Sequence, residues 1–295
     1  MKQTVSLVLS SGGARGLAHI GVIEELQRQG FEIKSVSGTS MGSMVGGLYA
    51  SGNLDVCKSW FSYLDKKSIF NLADFTISTN GFVKGDKIIN ELKKIVPDVN
   101  IEDLPISFTA VATDIKNKKE VVFDKGSLFE AIRASISIPT VFIPFKIGEM
   151  VLIDGAVLNP IPINCVKRRE NDLLIAVDVN SSILEEDKSS VIINSKPVKV
   201  ELNPLSLIKN GTYLLQKMHI KQFNYYSLLS QSASLMLQQI SSMTIETYNP
   251  DIVIKIPINS YSSFHYNKYD KIIESGRAAT QRAIAEYDAR ALLFK

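Results

Sequence analysis

Apolar residues in the first part of the chain fall into short runs that alternate with helical stripes. Thr4 to Leu9 is a short β-rich run that leads into Ser10-Ser11-Gly12-Gly13. Leu17 to Gln29 then carries apolar Leu17, Ile20, Val22, Ile23 and Leu26 near the helical period, with Gly30 as a stop. Ile33 to Ser37 predicts a second strand, which Gly38-Thr39-Ser40-Met41-Gly42 turns into a helix running to about Ala50. A strand, a tight turn and a helix, repeated in succession, predict parallel βαβ units and a sheet covered on both faces. Further strands are expected at Ile106 to Ala112, Glu120 to Phe123, Met150 to Ile153, Leu173 to Val179 and Asp251 to Ile256. Helices are expected at Lys84 to Ile95, Leu128 to Ser135 and Tyr269 to Ala289, with a shorter helical piece at Ile163 to Lys167.

The pattern changes between Ser181 and Pro250. Residues 181–200 are rich in Ser, Lys and Asp and read as a loop or linker, whereas 205–245 read as two helices. The expected organisation is one α/β domain over 1–295, with 181–250 inserted before its last strand. Asn224 to Ile245 carries no charge, but its Ser, Gln, Asn and Thr content excludes a membrane span. Apolar residues at helical spacing usually pack onto their own domain or onto a second subunit, here a homodimer. The other reading is a lid or peripheral membrane contact, with Lys209, Lys217 and Lys221 facing anionic head groups.

Composition narrows the classes. The 295 residues are 45% hydrophobic and 21% charged, enough for a sizeable core, and the net charge of +3 argues against nucleic acid. Two cysteines, Cys57 and Cys165, make neither a disulfide scaffold nor a zinc cluster, and suit a reducing compartment. The N-terminal apolar run is shorter than a signal-peptide core, so a cytoplasmic setting is expected, with the inner membrane face as a peripheral location.

Gly38-Thr39-Ser40-Met41-Gly42 has the form of a G-x-S-x-G nucleophile elbow. The chain must reverse sharply there, so the flanking positions tolerate only small residues, and the Ser40 hydroxyl is lifted above the sheet at a helix N-terminus. Gly12-Gly13-Ala14-Arg15-Gly16 follows the first strand and opens the first helix. Its N–H groups form an anion cradle, which in acyl transfer is an oxyanion hole. The rival is a dinucleotide loop, but Ser11-x-Gly13-x-x-Gly16 is one glycine short, and no acidic residue ends the second strand.

A serine needs a base. His19 lies among core-spaced residues and His219 on a solvated face. His265 completes a Ser40, Asp154, His265 order of the α/β-hydrolase type, although Ser40 follows too few strands for that fold. The alternative base is Asp154, which ends the run Met150-Val151-Leu152-Ile153 beside a Gly155-Ala156 turn. Desolvation there would raise its pKa into a useful range. Asp114 and Asp178 also end strands but lack the small-residue turn.

Together, Gly12-Gly13-Ala14-Arg15-Gly16, Gly38-Thr39-Ser40-Met41-Gly42 and Asp154-Gly155-Ala156 resemble the motifs of the patatin-like phospholipase family. Arg133-Ala134-Ser135-Ile136-Ser137-Ile138-Pro139 is similar to a fourth family segment. The resemblance covers about residues 4–180 and resumes at 251–285. It implies a three-layer α/β/α sandwich with a mostly parallel sheet, and a serine acyl hydrolase of phospholipase A, lysophospholipase or carboxylesterase type. Ser40 would be the nucleophile, Asp154 the base, and the Gly12 to Gly16 loop the oxyanion hole, with no cofactor or metal. The substrate would be a phospholipid or another acyl ester. An acyltransferase sharing the acyl-enzyme and a catalytically silent lipid-binding module are the competing classes.

Overall fold

The computed structural model describes residues 2–63, 75–78, 81–83, 85–182 and 225–293. One compact unit comprises Met1–Ile183 and Leu237–Lys295, and Leu184–Met236 forms a second. The expected loop at 181–200, the first insertion helix, His219 and the three insertion lysines lie outside the described residues, apart from the first two positions of that loop.

The larger unit is built on a sheet of eight strands. In chain order its elements begin β1 (Thr4–Leu9), α1 (Ala18–Arg28), β2 (Glu32–Thr39), α2 (Met41–Ala50) and α3 (Leu54–Tyr63). A separate antiparallel pair, β3 (Phe75–Ser78) and β4 (Gly81–Val83), precedes α4 (Asp86–Lys93). Then come β5 (Ser107–Asp114), β6 (Lys119–Phe123), α5 (Leu128–Ser135), β7 (Phe145–Ile147), β8 (Met150–Asp154) and β9 (Leu173–Ser181). After α6 (Tyr225–Tyr248), β10 (Ile252–Pro257) and α7 (Tyr269–Leu293) complete the chain. The strand order is β10-β9-β1-β2-β5-β8-β7, with β6 also paired to β5. The first four of these pairings are parallel, and β5 pairs antiparallel with both β6 and β8.

This is the expected α/β fold with a mostly parallel sheet, and its two faces are covered unequally. Period-two alternation sends Val5, Leu7 and Leu9 of β1 to one side, where they join Ile20 and Ile23 of α1, Val45 and Leu48 of α2, and Ile272 and Ile273 of α7. Val8 points the other way, onto Leu174, Ala176, Ile161 and Ile163, with Ile245 of α6 packed alongside. Among the described residues, that second layer is made mostly of the irregular chain around Ile161 and Ile163 rather than of long helices. The helical piece expected at 163–167 is a 3-10 turn over Ile163–Cys165.

Helix α1 crosses α7 with almost no space between the backbones. A Cβ on Gly21 would lie 1.9 Å from the Ile273 carbonyl oxygen, and one on Gly276 would lie 2.0 Å from that of Ala18. The α3 helix and the short β7 strand were not expected. In α3 the fully buried core residues are Cys57 and Phe61, with Leu54, Val56 and Trp60 only partly buried beside them, and Phe145–Ile147 is too short to show alternation. In α6, Ile245 is packed, whereas Leu228, Leu229, Leu235, Met236 and Met243 are exposed.

Candidate active site

β2 and β8 meet the same level of β5. Thr39, the last residue of β2, lies opposite Val111, and Asp154, the last residue of β8, lies opposite Ala112. The parallel and antiparallel neighbours of β5 therefore bring Ser40 and Asp154 to one point of the sheet. The Ser40 hydroxyl donates to Asp154 Oδ2 at 2.5 Å. Both side chains are nearly sealed, with Ser40 4% and Asp154 3% exposed.

The elbow has the strain its shape requires. Ser40 sits at φ 56°, a left-handed conformation rare for a residue with a Cβ, and its carbonyl receives Ser43 and Met44 N–H to start α2. A Cβ on Gly38 would come within 2.4 Å of the Gly42 carbonyl oxygen, and one on Gly42 within 2.2 Å of that of Leu9. The Asp154 turn is equally tight, since a Cβ on Gly155 would reach within 2.2 Å of the Val111 carbonyl oxygen. Asp154 Oδ1 accepts the Ala156 N–H at 2.8 Å, which leaves Oδ2 facing Ser40. Burial drives the Asp154 pKa up to about 6, against the opposing pull of the Ser40 and Ala156 hydrogen bonds.

The glycine loop lies against this elbow: a Cβ on Gly16 would sit 2.5 Å from Met41 Cγ. Its backbone is partly committed. Ala14 N–H donates to the Ser263 carbonyl at 2.8 Å, so it is not a free donor. Arg15 is also not an anion ligand here. Its guanidinium donates to Val179 O, Tyr261 O, Ser263 Oγ and Asn180 Oδ1, beside the buried Asp178. Arg15 thereby ties the loop to the end of β9 and to the segment after β10. Sequence reasoning missed Tyr261 and Ser263, because a serine and a tyrosine in a polar loop give no local signal of a partner in the first helix turn.

The other candidates separate cleanly. His265 Nδ1 accepts the Ser262 N–H at 3.1 Å within its own loop, and the Asp154 oxygens are occupied by Ser40 and Ala156. The triad order in the sequence is therefore not assembled in space. His19 is fully buried, with Nε2 2.8 Å from Ser10 O, and burial lowers its pKa to about 4. A neutral ring there donates to that carbonyl and acts as a brace inside α1. Asp114 accepts from the N–H groups of Lys116 and Asn117 and from the Asn117 amide, so it closes the β5–β6 turn. Asp178 accepts the Asn180 N–H and faces Arg15. Among the described residues no cluster of three or more His, Cys, Asp or Glu is placed to hold a metal ion.

A serine on a strand–turn–helix elbow, bonded to a buried carboxylate at the end of a neighbouring strand of an α/β sheet, is an arrangement chemically suited to nucleophilic acyl chemistry. The family model for the patatin-like phospholipases matches residues 7–165, more than half of the chain, and the protein belongs to that family. An uncharacterized NTE family protein of Mycobacterium bovis is 46% identical over 178 residues, which are 60% of this chain and 49% of that protein. The lysophospholipase NTE1 of Candida albicans is 26% identical over 98% of this chain and 20% of its own length. The chain thus spans about half the length of the mycobacterial relative and a fifth of the fungal one. Among solved structures, VipD from Legionella pneumophila aligns with 97% of this chain and 67% of its own, at TM-score 0.47 and 13% identity. Among the described residues, no helix is long and apolar enough to cross a membrane.

Proposed function

We propose that this protein hydrolyses lipid acyl esters through a Ser40–Asp154 dyad. The observation that carries the reading is the 2.5 Å hydrogen bond from the Ser40 hydroxyl to a buried carboxylate whose other oxygen is already held. Family membership and the lysophospholipase relative support a lipid acyl ester as the substrate.

Asp154 accepts the Ser40 proton as Oγ attacks the acyl carbonyl, and the proton passes to the departing alcohol or lysolipid. Water then attacks the acyl-enzyme, giving its proton to Asp154, and the acid leaves as Ser40 regains its hydrogen. A carboxylate with a pKa of about 6 is ionised at neutral pH, yet is far more basic than an exposed one. The oxyanion falls to the N–H groups of Gly12 and Gly13, which precede the engaged Ala14. Such donors typically contribute about 3 kcal/mol each to the transition state.

The test measures fatty-acid release from lysophospholipid and phospholipid mixed micelles, and hydrolysis of a short soluble ester, by wild type, Ser40→Ala, Asp154→Asn and His265→Ala. Folding of each is checked by circular dichroism. The dyad predicts that the first two variants lose activity by about a thousandfold or more and that His265→Ala stays within a factor of about two. A dead His265→Ala, or a folded wild type without Ser40-dependent release, refutes it.

A further inference from the structure

Both proposed dyad residues are held at their backbone N–H groups by one short segment of the chain. Ser40 N–H donates to the Ser135 hydroxyl at 2.9 Å, and Asp154 N–H donates to the Ser137 carbonyl at 2.9 Å. Ser135 closes α5, and only Ile136 separates it from Ser137. We propose that Ser135 is a positioning residue that sets the distance between Ser40 and Asp154; this rests on the dyad reading above.

The Ser135 hydroxyl is fully buried and engaged both as donor and as acceptor. It accepts from Ser40 and donates to the Val111 carbonyl at 2.6 Å. That same carbonyl oxygen is the atom against which Gly155 packs without a side chain. One hydroxyl thus fixes the elbow to β5 at the spot where the Asp154 turn also rests on β5. Its neighbours keep the segment stiff. Ser137 Oγ donates to Arg133 O at 2.8 Å and accepts from Arg133 Nη1 at 2.7 Å. Arg133 is in turn anchored on Asp86 and on the Ile143 carbonyl.

The physical need follows from the chemistry. Ser40 is held in a left-handed conformation, and its N–H, buried at the turn, has the Ser135 oxygen as its acceptor. In a dyad no third side chain adjusts the base, so backbone placement, with the Ala156 N–H on Asp154 Oδ1, sets the 2.5 Å contact. Displacement by about 1 Å at such a site can cost on the order of a hundredfold in rate.

The experiment compares wild type with Ser135→Ala, Ser135→Cys and Ser135→Thr on the short soluble ester. The readouts are kcat, KM, the rate of Ser40 labelling by a fluorophosphonate probe, and the melting temperature. Ser135→Ala is expected to lower kcat and the labelling rate together by about 10–100-fold with KM within about twofold, and Ser135→Thr, which keeps the hydroxyl, to recover most of the loss. If Ser135→Ala does not fold, the near-isosteric Ser135→Cys, whose thiol accepts poorly, is expected to show the same fall at temperatures well below its melting point. A lower melting temperature with unchanged kcat and labelling overturns the proposal and leaves Ser135 a structural residue. So does a loss that Ser135→Thr does not relieve although it is folded. Absence of Ser40-dependent turnover in wild type is a separate result, which removes the dyad reading itself.

Discussion

Asp154→Asn should separate activity from stability in a pH-dependent way. The carboxyl is buried and its pKa rises from 3.8 to about 6, chiefly because the ion is desolvated. As pH climbs from 3.8 to about 6, the unfolded chain ionises at this residue before the folded one does. Rising pH therefore removes stability through that window, and the loss is complete above it. The gap corresponds to about 3 kcal/mol, an order-of-magnitude ceiling. Asparagine keeps the shape, accepts from Ala156 through Oδ1, and directs its amide toward Ser40 without carrying charge. Relative to wild type, Asp154→Asn should thus gain up to about 3 kcal/mol between pH 3.5 and pH 8, while remaining inactive throughout. The assay is urea unfolding of both proteins at several pH values, with the difference in unfolding free energy plotted against pH. Wild-type kcat/KM should also fall about tenfold per pH unit below 6, as the base protonates. A stability difference that is flat with pH, or that shrinks as pH rises, would refute the claim that a desolvated Asp154 is held ionised at neutral pH.

Two further outcomes follow from the packing. Gly42→Ala places a Cβ 2.2 Å from the Leu9 carbonyl oxygen, a backbone atom that cannot rotate aside, so thermal unfolding should show a loss of about 3 kcal/mol or more and fluorophosphonate labelling of Ser40 should fail. Arg15→Met removes four hydrogen bonds from buried or half-buried acceptors, and one of the two cations near Asp178, Lys255 being the other, at a cost of about 3 kcal/mol in unfolding free energy. Arg15→Lys should restore little of this, because an ammonium cannot reproduce the planar fork that reaches β9 and the Tyr261–Ser263 segment together.

The local reading carried far where the physics is local. The alternation in β1 and the stripe in α1 follow from which side of a strand or helix each residue occupies, and both elements lie within a residue or two of their expected bounds. The elbow was legible because a reversal at Ser40 demands missing side chains at Gly38 and Gly42, and that demand is written in residue identity. Asp154 was legible for a related reason, since a carboxylate followed by Gly155-Ala156 advertises a crowded strand end.

What the chain by itself determined was most of its long elements, its α/β class and the residue types able to do acyl chemistry. Which of those residues meet was decided only by the sheet. β8 could have run either way, and its antiparallel pairing with β5 is what brings Asp154 level with Ser40 while His265 stays within its own loop. The engagement of Ala14 by Ser263, the four-way use of Arg15, and the Ser135 bracket join residues far apart in sequence. Hydrogen bonds between such residues leave no periodicity behind. They are set by the register of neighbouring strands and the close packing of turns, which exist only once the chain has folded.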